Sequence, residues 1–143
     1  MAMFWGTNEY RLDGKARLPL PVRYREELRP GLVLTQGVDG QIWLFPMAEW
    51  ERMAAEKASP AFSPEKLRRR NRVFFANSFP QDLDNQGRIA LPSTLRQVAD
   101  IKDEVVVSGA GSYLEIWSKE RWLSEKSRMD EQAWQIAEAT ERP

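Results

Sequence analysis

The sequence predicts an α+β fold, mainly β, built from two tandem β-β-α-β-β units that pair as one pseudo-dimer within the chain, with flanking helices. Three observations carry that prediction. The first is an internal repeat: Leu12-Asp13-Gly14-Lys15-Ala16-Arg17-Leu18-Pro19-Leu20-Pro21 aligns with Leu83-Asp84-Asn85-Gln86-Gly87-Arg88-Ile89-Ala90-Leu91-Pro92 at an offset of 71 residues. The match continues to Arg25 against Arg96. It shifts to 72 after a one-residue insertion and then aligns Val33-Leu34 with Val105-Val106, Ile42 with Leu114, Leu44 with Ile116 and Trp50 with Trp122. The second is strand parity: Ala16, Leu18 and Leu20 oppose Arg17 and Pro19, as Gly87, Ile89 and Leu91 oppose Arg88 and Ala90. The third is proline at the same place in both copies, where its fixed φ suits a first helical turn.

Each unit opens with a strand, expected over residues 4–12 and 79–83, and returns through a tight turn into the short alternating strand. Helices are expected over 21–28 and 92–99. Two further strands follow in each unit, over 32–36 and 42–45 across the Asp39-Gly40 turn, and over 105–108 and 113–117 across residues 109–112. Helices then cover 47–57 and the stretch from Ser118 onward, where Ser118 is placed to cap the helix with Glu120 in its first turn. Ser63-Pro64 reads as cap and first turn of a further helix through Lys66-Leu67-Arg68-Arg69-Arg70-Asn71-Arg72, ending before Phe79-Pro80. The chain therefore divides into a first unit with its trailing helix (3–57), a linker and basic helix (58–78), and a second unit with its C-terminal helix (79–140). A unit of about 50 residues is too small to bury a good core alone, so the copies must share one.

Composition removes most chemistry. The 143 residues include no cysteine and no histidine, which excludes disulfides, thiolate nucleophiles and Cys- or His-based metal sites and removes the commonest general base. Asp82 with Asp84 is the nearest thing to a carboxylate pair, but it flanks a hairpin without a base or an anion cradle. The chain is not expected to be an enzyme, and no cofactor, metal or small-molecule substrate is expected. No apolar run approaches the length of a membrane span, and no signal peptide is visible at the start, so a cytoplasmic protein without a membrane partner is expected.

Lysine plus arginine balance aspartate plus glutamate, 21 against 21, yet the charge is unevenly spread. Residues 11–29 carry +3 and residues 58–78 carry +4, whereas 79–118 carry −3. In each copy the Asp-x-x-x-Arg turn places a carboxylate at one end, where it can accept loop N–H groups and steer the guanidinium at the other. Arginine's planar fork can donate twice to guanine O6 and N7 in the major groove, and Lys15 would add a phosphate contact that positions without specifying. A charged Asp-Gly turn alone is a solvated hairpin. An arginine at the same outward place in both copies is not something a bare hairpin needs. Arg23 and Arg25, on the helix after the first loop, can reach phosphates or serve solvation; Arg96 matches Arg25, and a salt bridge to the nearby turn explains that match equally well. The 66–72 run reads as a subunit contact or solvated helix in preference to a DNA contact. Trp50 and Trp122 read as packing on the strands before them, and the weakly amphipathic stretch after Trp117 either docks on a neighbouring subunit or frays beyond Ala137.

The Phe-x-Gly start at Phe4-Trp5-Gly6, the two Asp-x-x-x-Arg segments each followed by aliphatic-x-aliphatic-Pro, the helix end Arg25-Glu26-Glu27-Leu28 and the segment Glu115-Ile116-Trp117-Ser118 together resemble the MraZ family of the AbrB-like swapped-hairpin superfamily. The resemblance runs from Met3 to about Arg128. It implies that hairpins of the two units interleave into a common β-core with helices outside. It further implies a nucleoid-associated transcriptional regulator, usually a repressor of its own division and cell-wall gene cluster, that forms a ring-like homo-oligomer on tandem repeats of double-stranded DNA. The implied contacts are the loops, which here supply Asp13, Lys15, Arg17, Asp84, Gln86 and Arg88, with Arg23 and Arg25 behind the first. Ala16 stands where similar proteins carry glycine, and because alanine resists φ > 0 the geometry of the first loop is left open. Arg17 is expected to matter more than Arg88, whose loop has Gln86 in the basic position and acidic surroundings. The competing reading is a swapped-hairpin protein-interaction module, antitoxin-like or scaffolding, whose loops merely turn.

Overall fold

In the computed structural model, which describes residues 3–141, thirteen elements follow in the order β-β-α-β-β-α, α, β-β-α-β-β-α. The first unit comprises β1 (Thr7–Arg11), β2 (Arg17–Pro19), α1 (Val22–Leu28), β3 (Leu32–Gln36) and β4 (Ile42–Pro46), followed by α2 (Met47–Lys57). After α3 (Glu65–Ala76) the same order recurs as β5 (Phe79–Gln81), β6 (Arg88–Ala90), α4 (Ser93–Val98), β7 (Glu104–Gly109), β8 (Leu114–Ser118) and α5 (Lys119–Glu141).

Pairing is exchanged between the units. The large sheet runs β1-β7-β8-β4-β3-β5, all antiparallel, so the first strand of each unit lies against the second hairpin of the other. The hairpins β3-β4 and β7-β8 meet at the centre, where Ile42, Trp43 and Leu44 face Ile116, Glu115 and Leu114. The short strands β2 and β6 form a separate antiparallel ribbon centred on Leu18 opposite Ile89. A local pseudo-twofold passes through both places, which is the repeat expressed in three dimensions.

Alternation along the strands sets the two faces of the sheet. Leu32, Leu34, Ile42, Leu44, Val105, Val107, Leu114 and Ile116 point to one face and pack with Leu18, Leu20, Leu28, Ile89, Leu91 and Leu95 of the ribbon, of α1 and α4 and of the short segments that join them. Val33, Phe45, Val106 and Trp117 are buried on the other. There Trp43 and Phe45 meet Trp50 of α2 and Phe74 of α3, and Trp117 meets Trp122 of α5. The equivalent tryptophans thus pack on the strands before their helices, as their spacing suggested.

Boundaries differ from expectation where backbone chemistry intervenes. The first strand does not run unbroken from Phe4: Gly6 at φ +86 bends the chain, and Phe4 makes an isolated bridge to Gly111. The strand at 79 stops at Gln81, whose side chain turns to bond both the N–H and the carbonyl of Ala90. Ser63 does not cap α3; Pro64 holds the cap position without a side-chain bond, and the Ser63 carbonyl instead accepts Arg68 Nη1 at 2.6 Å. Ser118 does cap α5, its Oγ accepting the Arg121 N–H at 3.1 Å. That helix continues past Ala137 to Glu141.

Candidate nucleic-acid interface

Each Asp-x-x-x-Arg segment folds into the same side-chain-closed turn. Asp13 Oδ1 accepts the N–H groups of Lys15 and Arg17, both at 2.9 Å, and its Oδ2 accepts Arg17 Nε at 2.6 Å. Asp84 Oδ1 accepts the N–H groups of Gln86 and Arg88 at 2.9 and 2.8 Å, and its Oδ2 accepts Arg88 Nε at 2.8 Å. Backbone bonds close both loops alike, Ala16 N–H to the Asp13 carbonyl and Gly87 N–H to the Asp84 carbonyl, each at 3.0 Å. Because each aspartate is bonded through Nε, neither terminal nitrogen of these guanidinium groups is used in the hydrogen bond to the loop's own carboxylate, which leaves the pair able to donate to a bidentate acceptor.

The ribbon sets these loops side by side. Arg17 lies opposite Ala90 and Pro19 opposite Arg88, so both guanidinium groups emerge from one two-stranded element. The loops also touch electrostatically: Arg88 Nη1 is 3.7 Å from Asp13 Oδ2, a cross-unit pair that spacing along the chain gave no means of seeing. Arg88 thus faces two carboxylates where Arg17 faces one.

Ala16 adopts φ 56 and Gly87 φ 73, so the substitution of alanine for glycine leaves the turn type unchanged and places the cost in backbone strain. An L-residue in this region loses roughly 1–2 kcal/mol, of which glycine's greater unfolded-state freedom returns about 0.5–1. Ala16→Gly is therefore expected to stabilise the protein by about 0.5 kcal/mol, raising Tm by a degree or two in a thermal scan, with the loop fold retained.

The carboxylates are acidified by what they hold. Asp13 is lowered to about 2, chiefly by the Arg17 N–H, with the Lys15 N–H and the Arg17 guanidinium adding to it against partial desolvation. Asp84 is lowered for the same reasons, the Arg88 N–H foremost. A folded-state value below the unfolded one means that the carboxylate's contribution is present in full above about pH 4 and is lost as pH falls toward 2. The amide resonances of Lys15 and Arg17 are expected to titrate together with a midpoint near 2, and Asp13→Asn is expected to remove that titration. A midpoint near the ordinary aspartate value would show that the turn is not closed in solution.

The other expected residues are placed differently. Lys15 and Gln86 stand exposed at the loop tips. Arg23 is held by protein groups: its Nη2 donates to the Trp5 carbonyl and Asn8 Oδ1, each at 3.2 Å, and its guanidinium lies 4.5 Å from the Tyr24 ring centroid. Arg25 and Arg96 form no salt bridge to the turns; each donates Nε to a strand-end carbonyl, that of Leu20 at 3.2 Å and that of Leu91 at 3.0 Å. The arginine run sits on α3, over the sheet face opposite the ribbon, where Arg69 pairs with Glu65 at 2.7 Å and Arg68 and Arg70 donate to backbone carbonyls. Arg29, not singled out by the sequence, joins Arg25, Asp84, Asn85 and Gly87 around a cleft of about 350 Å³ beside the second loop.

Comparison with known proteins agrees with the repeat. A family model described as "MraZ protein, putative antitoxin-like" matches residues 3–72 and again 74–142. A curated relative from Dehalococcoides mccartyi, named Transcriptional regulator MraZ, is 46% identical over 140 residues, covering 97% of this chain and 99% of the relative. Proteins of the same name from Saccharopolyspora erythraea and Lactobacillus delbrueckii subsp. bulgaricus are 42% and 36% identical, covering 97% and 95% of this chain and 95% of each relative.

Proposed function

This chain belongs to the MraZ family, and we propose that it is a transcriptional regulator which binds double-stranded promoter DNA through the paired Asp13–Arg17 and Asp84–Arg88 loops. The observation that carries this reading is the identical closure of the two turns, which fixes two arginine forks on one ribbon with their terminal nitrogens free of their own aspartates' bonds. Arg17 and Arg88 read base edges, Lys15 contacts phosphate, and Gln86 takes the corresponding place in the second loop. Asp13 and Asp84 hold the forks. Arg23, tied to Trp5 and Asn8, supports the N-terminal segment more than it reaches outward.

Two loops per chain make a weak reader. A homo-oligomer, ring-like in the manner implied by the family, would align several pairs on tandem repeats and multiply their affinity through effective concentration. Repression of its own division and cell-wall gene cluster, in the cytoplasm and on the nucleoid, is the regulatory role this supports. No helix among the described residues is long and apolar enough to cross a membrane.

Fluorescence anisotropy tests the reading. A duplex from upstream of the protein's own gene is compared with a scrambled duplex across a salt series. Selective binding with a steep salt slope is the expected result. Equal affinity for both duplexes would overturn it in favour of a protein-interaction module.

A further inference from the structure

Arg25 and Arg96 are joined to the loops by a bonding pattern that crosses between the units and occurs twice. On one side, Arg25 of α1 donates Nε to the Leu20 carbonyl, and Leu20 in turn donates its N–H to the Gly87 carbonyl at 3.1 Å, inside the second loop. On the other, Arg96 of α4 donates Nε to the Leu91 carbonyl, and Leu91 donates its N–H to the Ala16 carbonyl at 3.0 Å, inside the first loop. The leucine that makes both bonds belongs to the arginine's own unit, and the loop it reaches belongs to the other.

Arg25 does more than bond Leu20. A β-carbon on Gly87 would fall 2.2 Å from Arg25 Nε and 2.5 Å from its guanidinium carbon, so the side chain lies directly across the glycine. Gly87 is accordingly buried although it sits in an exposed turn. Alanine here would have to push Arg25 aside. At Ala16 that carbon is present, and the residue is only half-buried.

We propose that Arg25 and Arg96 are positioning residues, each holding the DNA-reading loop of the opposite unit, and that Arg25 on Gly87 is the tighter of the two. The proposal rests on the functional reading above for the word "reading" only; the clamp itself is a property of the fold. A phosphate contact would place Arg25's guanidinium outward on DNA. A clamp places its Nε and side-chain face on the protein, so that its loss blurs the aim of Arg88 without removing a charge from the DNA contact.

The test measures amide hydrogen exchange and DNA binding in the full-length protein. Arg25→Ala is expected to speed exchange at Gln86, Gly87 and Arg88 by tenfold or more while leaving Lys15, Ala16 and Arg17 near wild type. Arg96→Ala is expected to do the reverse, with a smaller change. This crossed response separates a clamp from general destabilisation, which would loosen both loops in either variant. Unchanged exchange in the opposite loop, or equal loosening of both loops, overturns the proposal whatever the protein does with DNA.

On the promoter duplex, Arg25→Ala is expected to reduce the ratio of specific to scrambled affinity with the salt slope unchanged. A slope reduced by about one per protomer, with selectivity kept, would make Arg25 a phosphate contact and overturn its positioning role. If the wild-type protein fails to distinguish the duplexes, the functional reading falls, and the exchange data still decide the clamp.

Discussion

Replacing Arg17 and Arg88 together by alanine is expected to abolish discrimination between the promoter duplex and its scrambled counterpart, while the protein stays folded. Each arginine that donates twice to a guanine is worth about 1–3 kcal/mol of discrimination, so losing both forks costs a protomer roughly 30-fold or more in selectivity. The two contributions are not equal. Arg88 lies within 3.7 Å of Asp13 as well as bonded to Asp84, so its charge is compensated twice, whereas Arg17 pairs with Asp13 alone and has Lys15 beside it. Arg17→Ala should therefore produce the larger single loss. Both side chains are about a quarter to a third exposed, so their removal leaves no deep cavity and circular dichroism should be unchanged. Selectivity that survives the double substitution would remove the loops from the interface. Equal single losses, or a larger loss from Arg88→Ala, would overturn the asymmetry alone.

The repeat was legible because it is written in residue types that the backbone needs at fixed places. Aspartate closes the turn, a residue at φ > 0 follows three positions later, arginine comes next, and proline begins the helix; such requirements are local and leave a spacing. Strand parity was legible for the same reason. What spacing does not carry is long-range partnership. The pairing of β1 with β7 and of β3 with β5, which exchanges strands between the units, contributes no periodicity to either strand; the family resemblance implied interleaved hairpins without naming these partners. Arg25 illustrates the limit within the site. Its match with Arg96 was visible, and a phosphate contact, solvation and a salt bridge to the turn were all open for it, but the actual partners are backbone carbonyls. Carbonyl partners leave no mark in a sequence. The clearest available signal was the alignment of Arg25 with Arg96 at the repeat offset, together with a glycine directly before the arginine in only the second loop.

Leu18→Ala is expected to be among the most damaging single substitutions, costing about 3–4 kcal/mol and lowering Tm by roughly 10 °C in reversible thermal or urea unfolding. Leu18 is fully buried at the centre of a ribbon only three residues long on each strand, directly opposite Ile89. So short a pairing has few backbone bonds of its own, and its place on the sheet depends on burial of this leucine–isoleucine pair among Leu34, Leu44 and their neighbours. The cavity left by alanine would collapse poorly, since moving the ribbon inward would strain the proline that follows Leu18 and the closed turn that precedes it. Leu123→Ala offers the contrast: at 55% exposure it should change stability by no more than about 0.5 kcal/mol. The functional consequence follows from adjacency, because Arg17 precedes Leu18 and Arg88 precedes Ile89. Loss of the leucine should therefore speed amide exchange in both loops at once, whereas loss of Arg25 loosens only the opposite one. A Leu18→Ala protein of near-native stability would mean that the ribbon is held by its loops, and that the loops support this part of the core rather than depend on it.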